Sequence, residues 1–301
     1  MRKSLVNSLL SYCEDPTFCM LCGDLGFNAL EPLQEQLGDR FINAGIAEQN
    51  MISVSAGLAH SGMKPWIYSI SPFIYARAFE QIRNDVCLHN LHVCFIGSGA
   101  GYGYGINGPT HHALEDCGTM SSLQNMTVYV PSFTKDFDSL TSIMMNIHSP
   151  AYLRLGRDEI GDSFVPPAFN NYRKLIDGAY GLILALGGIV GSVLDVFLKT
   201  KRHPSIWSCG KLPVQFEEIP SELIKEIHTQ PYLFIIEDHV SVGGLGEQFI
   251  KCLLENGVSP KKFYHRRANG YSSGLYGSQD FYRKESNLNR ESILNFVKNI
   301  I

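Results

Sequence analysis

Short apolar runs typical of buried strands alternate along this chain with longer segments that carry apolar residues at three- and four-residue spacing. Strands that alternate with helices in this way favour layered α/β domains, in which helices connect mostly parallel strands. The pattern occurs in two blocks, separated by a stretch rich in Pro, Asn and acidic residues. We therefore predict an α/β fold with two doubly wound domains, at 1–160 and 176–301, joined by a linker at 161–175.

The first block predicts six strands and three helices between them. The strands are expected at 17–22, 40–43, 64–69, 92–96, 127–130 and 151–155, and the helices at 47–60, 75–89 and 134–148. In the second block, strands are expected at 181–185 and 233–237, with helices that begin at Gly188 and Gly244.

Composition narrows the class of protein. The chain has 301 residues, 45% of them hydrophobic and 18% charged, which is enough for two domains with separate cores. A net charge of -4 without a basic stripe argues against a nucleic-acid partner, because such binding needs clustered Lys and Arg. The longest apolar run, 182–190, is too short to span a bilayer. We expect a cytoplasmic protein with no membrane partner.

The eight cysteines are scattered along the chain, and only Cys19 and Cys22 form a CxxC pair. This pair falls within a predicted buried strand, with neither a second pair nor a following helix that a zinc or redox site would want. We therefore predict buried thiols in a reducing compartment and no metal site in this chain.

The segment 41–62, FINAGIAEQNMISVSAGLAHSG, carries the first candidate site residue. Glu48 falls in the first turn of the helix that follows a predicted strand, and ligands of open parallel sheets gather at the carboxyl ends of the strands. A carboxylate in a first helical turn also complements the positive end of the helix dipole without any ligand. The position of Glu48 alone leaves both roles open.

A glycine-rich loop, 97–112 (GSGAGYGYGINGPTHH), follows another strand and forms the second candidate site. Its glycines permit close backbone approach to a ligand, and it carries two histidines, the residue type whose ordinary pKa lies nearest neutral pH. Neither of the familiar glycine-rich phosphate motifs is present. The alternative is an ordered surface loop with solvated histidines.

Several motifs in order identify a resemblance. GDLG, NAGIAEQNMISVSAGLA, SPF, RAFEQIRND, GPTHHALED and PAYLRLGR resemble the pyrimidine-binding domain of transketolases, parts of which 1-deoxyxylulose-5-phosphate synthases and the β subunits of 2-oxo acid dehydrogenases share. LFIIEDHVSVGGLGEQ and GSQDFYRKESNLNRESI resemble the carboxyl-terminal domain of transketolases. The resemblance covers nearly the whole chain.

The resemblance implies thiamine diphosphate as cofactor. In the family a glutamate contacts ring nitrogen N1′ of the aminopyrimidine and acts in acid–base catalysis, and Glu48 matches it. Phe73 matches the aromatic residue that stacks on this ring, although a core phenylalanine is the alternative. Asp24 matches an aspartate of the cofactor cleft, or else forms a turn. Tyr75 and Arg77 are expected as neighbours of the cofactor.

Three further residues are matched to substrate. His111 corresponds to a catalytic histidine near the reacting carbons, and Arg157 to an arginine that binds a sugar phosphate, unless it pairs with an acidic neighbour. Asn107 and Gly99 depart from the family, which has an acidic residue and a histidine there to bind hydroxyls of the donor. The usual sugar donor is therefore in question, and a modified sugar or a 2-oxo acid such as pyruvate is an alternative.

The sequence has no counterpart of the family's diphosphate-binding domain with its GDG and Asn-containing metal motif. We therefore expect a β-type subunit of a split transketolase-like transferase, active only with a partner chain that holds the diphosphate and Mg²⁺, in an α2β2 assembly. Its expected reaction moves a two-carbon ketol or acetyl unit between sugar or sugar-phosphate substrates. The alternatives are the β subunit of a 2-oxo acid dehydrogenase and a non-catalytic regulatory homologue.

Overall fold

The computed structural model describes residues 1–301 and contains two β-sheets with helices on their faces. The strands are β1 Phe18–Cys22, β2 Phe41–Asn43, β3 Lys64–Ile70, β4 Cys94–Ser98, β5 Thr127–Tyr129, β6 Ala151–Leu155, β7 Tyr172–Ala179, β8 Leu182–Leu186, β9 Pro204–Cys209, β10 Lys211–Leu212, β11 Leu233–Glu237 and β12 Phe263–Arg266. The α-helices are α1 Arg2–Leu10, α2 Glu31–Leu37, α3 Glu48–His60, α4 Ser71–Tyr75, α5 Phe79–Gln81, α6 Asp116–Ser121, α7 Phe137–Asn146, α8 Ile189–Phe197, α9 Ser221–Thr229, α10 Leu245–Glu255, α11 Gln279–Glu285 and α12 Arg290–Lys298. Short 3₁₀ turns occur at Gly38–Arg40, Gly105–Asn107, Thr134–Asp136, Gly161–Ser163 and Phe216–Glu218, and a π-helical segment at Ile82–Cys87. None of the helices combines the length and the apolar character needed to cross a membrane.

The first sheet has seven strands in the order β10-β5-β6-β4-β3-β1-β2. All neighbours are parallel except the two-residue strand β10, which pairs antiparallel with β5. The carboxyl ends of β1, β2, β3, β4 and β6 therefore meet at one edge, where the loops that follow them can share a site.

Side chains of β1 alternate between two helical layers, as expected for a strand with a two-residue period. Phe18, Met20 and Cys22 pack with α1, α2 and α7, whereas Cys19 and Leu21 pack with α3 on the opposite face. The thiols of Cys19 and Cys22 thus point into different layers, and burial raises the pKa of Cys19 to about 11. These are buried thiols, as predicted.

The second sheet has five strands in the order β12-β11-β8-β9-β7, and only β7 and β9 pair antiparallel. One apolar core continues from the first sheet to one face of the second, where α9 and α10 pack. The other face packs against α8 and α12. The predicted α/β fold with two layered domains is confirmed, while β7 already begins inside the stretch predicted as linker, and the exact domain limits stay a prediction.

The helix predicted at 75–89 is interrupted. Helix α4 ends at Tyr75, and the backbone N–H groups of Ala76 and Arg77 both donate to the carbonyl oxygen of Pro72 at 3.2 Å, which forms a wide turn. A π-helical segment follows α5 instead of regular α-helix, a local irregularity that often accompanies functional sites. This interruption lies at the carboxyl end of β3, within the candidate site.

Candidate active site

Glu48 is the first residue of α3 and lies behind the loop that follows β2. Its residue surface is only 2% exposed. Oxygen Oε2 accepts a hydrogen bond of 2.5 Å from Nη1 of Arg77, and no group of the chain donates to Oε1. Glu48 thus combines the helix-start position with a buried acceptor that faces the loops of the sheet edge.

The side chains of Arg77, Phe73 and His111 form a contiguous row beside Glu48. The guanidinium carbon of Arg77 lies 4.3 Å above the ring centroid of Phe73, a cation–π contact. The other neighbour of Phe73 is the His111 ring, 5.3 Å away in an edge-on arrangement. Phe73 is only half-buried and is not part of the apolar core, which favours the predicted site role over the core alternative.

Ser69, near the end of β3, is a residue that the sequence analysis missed. It is fully buried, and its Oγ has no hydrogen-bond partner. A side-chain carbon placed on Gly23 would lie 3.6 Å from Oε1 of Glu48 and 3.7 Å from Oγ of Ser69, so both oxygens line the same small space. The Ser69 hydroxyl is therefore free to bond to a ligand or to a water in this space.

Asp24 adopts a left-handed backbone with φ of 54° and exchanges two hydrogen bonds with Asn43. The amide of Asn43 donates to the Asp24 carboxylate at 2.9 Å, and the Asp24 N–H donates to Oδ1 of Asn43 at 3.1 Å. The same Oδ1 accepts from the N–H of Gly45. These contacts fit the turn-forming alternative, and they tie the loop after β1 to the loop that leads to Glu48.

Tyr75 is buried under the site, and its hydroxyl donates to Oε2 of Glu115 at 3.1 Å. Burial is the main cause that raises the pKa of Tyr75 well above its usual value, with the nearby carboxylates of Asp116 and Glu115 adding to it. Tyr75 therefore remains a neutral hydroxyl. It holds α4 against the loop that carries His111, and it makes no hydrogen bond to Glu48.

Gly99 in the glycine-rich loop explains one departure from the family pattern. Its φ is 93°, and a side-chain carbon there would lie 2.1 Å from Cε2 of Tyr104. The Tyr104 ring thus fills the space that a side chain at 99 would need. It also stands 5.8 Å from the His111 ring, and its hydroxyl donates to Oγ of Ser98 at 3.3 Å.

His111 and Asn107 differ in their surroundings. His111 is half-buried, and its Nδ1 lies 2.9 Å from the hydroxyl oxygen of Thr110. Asn107 is exposed at the end of a 3₁₀ turn, and its side chain has no hydrogen-bond partner within the chain. Only His111 belongs to the row beside Glu48.

Arg157 makes no ion pair with its acidic neighbours. Asp158 instead accepts from Thr134, and Glu159 pairs with Arg283. The Arg157 guanidinium is exposed and donates to the carbonyl oxygen of Gly103 at 3.2 Å. The alternative of a surface pair with its neighbours is therefore wrong.

Arg157 shares a cavity of about 120 Å³ with Arg2, a second residue that the sequence analysis missed. The remaining wall is formed by the glycine-rich loop, including Tyr104, and by Leu155 and Gly156. Neither arginine forms an ion pair within the chain, so both guanidinium groups are available to an anion in this cavity. Arg2 stands at the start of α1, 155 positions before Arg157, and no local sequence signal links the two.

The largest cavity, about 590 Å³, lies on the far side of Arg157. Its acidic and basic side chains mostly satisfy one another: Arg283 pairs with Glu159, and Arg290 donates to the Glu159 carbonyl. Neither Glu48 nor His111 lines it. Size alone is a poor guide here, and we assign the site to the row beside Glu48.

A buried helix-start glutamate, a half-buried phenylalanine and a glycine-rich histidine loop, all at the carboxyl edge of a parallel sheet, define an α/β protein with a candidate site at the ends of its strands. The family comparison agrees with this class. Residues 9–162 match the transketolase pyrimidine-binding domain, and the chain belongs to the transketolase family.

Curated relatives narrow the comparison. The chain is 27% identical to one of the subunits of apulose-4-phosphate transketolase from Actinobacillus succinogenes, with 89% of this chain and 87% of the relative covered. It is also 28% identical to 1-deoxy-D-xylulose-5-phosphate synthase of Fusobacterium nucleatum, but there 90% of this chain spans only 45% of the relative.

Solved structures give the same result. A split gene transketolase, described as an inactive β4 tetramer, superposes with a TM-score of 0.82 at 26% identity, covering 99% of this chain and 96% of that one. Transketolase of Campylobacter jejuni shares the fold, with a TM-score of 0.76 over 99% of this chain and 46% of its own at 16% identity. The predictions of a transketolase-like fold and of a β-type subunit of a split transketolase-like transferase are confirmed.

Proposed function

We propose that this chain supplies the acid–base half of a thiamine diphosphate site, and that a second chain with the diphosphate-binding domain and Mg²⁺ completes it in an α2β2 enzyme. The reaction is the transfer of a two-carbon ketol unit between sugar phosphates. The observation that carries the proposal is Glu48: a buried carboxylate with one oxygen left as an acceptor, beside the half-buried ring of Phe73.

The residues present fit the aminopyrimidine half of the cofactor. Phe73 offers a ring face for stacking, and Glu48 offers a carboxylate for the ring nitrogen. The unpaired hydroxyl of Ser69 offers a further polar contact in the same space. When bound, the cofactor supplies a thiazolium carbon that becomes a nucleophile on loss of its proton. The role of Glu48 is to hold and exchange a proton at N1′ of the ring, which general acid–base catalysis requires.

Exposed apolar side chains surround this edge of the sheet. Phe27 follows β1, Ile46 follows β2 and Ile106 lies in the loop after β4, with 72%, 78% and 74% of their surfaces exposed. Large apolar side chains gathered at one edge are typical of a protein–protein interface. We therefore place the partner chain at this edge, where it would cover the cofactor.

The substrate is proposed to carry a phosphate. Arg157 and Arg2 present two guanidinium groups without acidic partners to one cavity, and the planar guanidinium binds phosphate oxygens in pairs. The His111 ring contacts Tyr104 of this cavity on one side and Phe73, beside Glu48, on the other. We propose that it meets the reacting carbons. The relatives that act on apulose-4-phosphate support a phosphorylated sugar.

A 2-oxo acid is the second candidate donor. The observation that favours it is the filled space at Gly99, where Tyr104 excludes the histidine that would contact the hydroxyls of a sugar donor. Pyruvate has no such hydroxyls. In that case the enzyme transfers an acetyl unit with release of carbon dioxide.

The test mixes the purified chain with the partner chain, thiamine diphosphate and Mg²⁺, and measures the products of sugar phosphates with and without pyruvate. The mixture should be active and each chain alone inactive, and light scattering should report an α2β2 mass. Turnover by this chain alone would contradict the division of the site between two chains. Ketol products in the absence of pyruvate identify ketol transfer, and carbon dioxide release identifies the acetyl alternative.

The role of Glu48 is tested by Glu48→Gln in the same mixture. Loss of proton exchange should lower kcat by about 10²- to 10⁴-fold, the usual contribution of general acid–base catalysis, while assembly persists. Glu80→Gln is the matched control, because Glu80 is an exposed carboxylate of neighbouring α5. Full activity of Glu48→Gln would overturn the assignment.

A further inference from the structure

Glu48 and Phe73 already share one partner within this chain. Nη1 of Arg77 donates to Oε2 of Glu48 at 2.5 Å, and the guanidinium carbon of Arg77 lies 4.3 Å above the Phe73 ring centroid. A flat, hydrogen-bonding group is therefore stacked on Phe73 and bonded to Glu48 at the same time.

An aminopyrimidine ring held as proposed above would stack on Phe73, over which Arg77 now lies, and would bond to the same carboxylate, at its free oxygen Oε1. We propose that the Arg77 guanidinium is a placeholder for this ring. It fills the gap between the Phe73 ring and the Glu48 carboxylate, which we call the wedge, and it must rotate out of this wedge before the ring can enter. This inference rests on the proposed function, because it assigns the wedge to the cofactor.

The two ends of the ion pair differ in a way that suits a placeholder. The Glu48 side chain is 1% exposed, whereas the Arg77 side chain is 43% exposed and can turn into solvent. A buried carboxylate without a partner is costly, so Arg77 stabilises Glu48 in its buried position. Arg77 follows α4 in the wide turn at the carbonyl of Pro72, away from regular helix.

Competition for one wedge has a measurable consequence. The apparent dissociation constant of the ring equals its intrinsic dissociation constant divided by the fraction of molecules in which Arg77 has left the wedge. A half-exposed ion pair and a cation–π contact together are expected to hold Arg77 in place by a factor of about five to thirty. Removal of the guanidinium should therefore tighten binding of the ring by about five- to thirtyfold.

The experiment uses this chain alone and the pyrimidine half of the cofactor, 4-amino-5-hydroxymethyl-2-methylpyrimidine, as the probe. Its dissociation constant is measured by ligand-observed NMR for the wild type, Arg77→Ala and Arg83→Ala. Arg83 is the matched control, because it is an exposed arginine of the following π-helical segment that bonds only to Asn84. Thermal unfolding confirms that each variant is folded.

Arg77→Ala should bind the probe about five to thirty times more tightly than the wild type, and Arg83→Ala should bind it equally well. The dissociation constant of Arg77→Lys should fall between those of the wild type and Arg77→Ala, because an ammonium group stacks less well than a planar guanidinium. Equal or weaker binding by Arg77→Ala, with the wild type still binding, would overturn the placeholder alone. Absence of binding in every variant would overturn the aminopyrimidine site itself, together with the proposal above.

Discussion

Arg154 lies in the same PAYLRLGR motif as Arg157, but its surroundings are those of a structural residue. It is 2% exposed, and its Nε donates to both carboxylate oxygens of the fully buried Asp116 at 3.0 and 2.9 Å. Its Nη2 donates to the carbonyl oxygens of Ala113 and Asp238 at 2.7 and 2.8 Å. Arg154 thus connects the loop that follows His111 to the end of β11 in the second sheet.

Replacement of Arg154 by Met keeps the apolar stem and removes the charge. The Asp116 carboxylate is then left buried with only the Tyr152 hydroxyl, 3.0 Å away, as donor. Removal of one partner of a buried ion pair costs about 3–5 kcal/mol, and we expect Arg154→Met to lower the free energy of unfolding by that amount. The measurement is urea denaturation followed by circular dichroism.

The double variant Arg154→Met with Asp116→Asn separates the ion pair from packing. If the buried charge of Asp116 is the cause, removing it should recover a large part of the lost stability. The surface variant Arg83→Met, at an exposed arginine, is expected to change stability by no more than about 0.5 kcal/mol. A loss below about 1 kcal/mol for Arg154→Met, or a double variant less stable than the single one, would refute this reasoning.

Three further changes test local features. Gly99→Ala should destabilise the chain by about 1–3 kcal/mol more than Gly62→Ala, because both glycines have a positive φ but only the first would collide with Tyr104, and urea midpoints measure the difference. Burial lowers the pKa of His92 to about 4, so the folded state favours the neutral imidazole. In the unfolded chain His92 is protonated below about pH 6.5, so its effect on the free energy of unfolding is most favourable above pH 6.5 and is lost as pH falls from 6.5 towards 4. The variant His92→Gln should therefore show a flatter loss of stability across that window, and an unchanged profile would contradict the assignment. Hydrogen bonds from the Thr17 hydroxyl and N–H lower the pKa of Asp15 to about 2. The loss of stability in Asp15→Asn relative to the wild type should therefore be largest above about pH 4 and shrink as pH falls towards 2. Urea midpoints of both proteins at each pH measure this difference.

The strands of the first sheet could be predicted from sequence because they are buried on both faces and read as continuous apolar runs. β6 agrees at both ends with the range predicted for it, and β1 differs by one residue. The second sheet was predicted less completely. β7 carries charged residues at its edge position and pairs antiparallel with β9, so its pattern resembles that of a loop, and β12 is only half-buried along its length.

The site divides in the same way. Glu48 could be predicted because its place at the start of α3 and its motif both lie in one short segment. Its contact with Arg77 could not, since the two residues are 29 positions apart and meet only because the predicted helix 75–89 is interrupted by a wide turn. Arg2 and Arg157 line the same cavity only because of how β4, β6 and α1 pack, and no local sequence pattern predicts that packing.

The glycine-rich loop shows why the second domain matters to a site built on the first. Six glycines in 97–112 make this loop costly to order, and the contacts that order it come from the second domain. The Tyr102 hydroxyl bonds to the carbonyl of Gly270 at 2.8 Å and to Oγ of Ser286 at 2.9 Å.

A contact from the second domain also holds His112, the residue next to His111. Nδ1 of His112 lies 3.2 Å from the Tyr271 hydroxyl, and its Nε2 lies 3.0 Å from the carbonyl oxygen of Gly105, which closes the loop on itself. Burial lowers the pKa of His112, so this histidine remains a neutral structural residue at neutral pH. Of the two adjacent histidines, one is thus held by the second domain so that the other, His111, can face Phe73 from a fixed position.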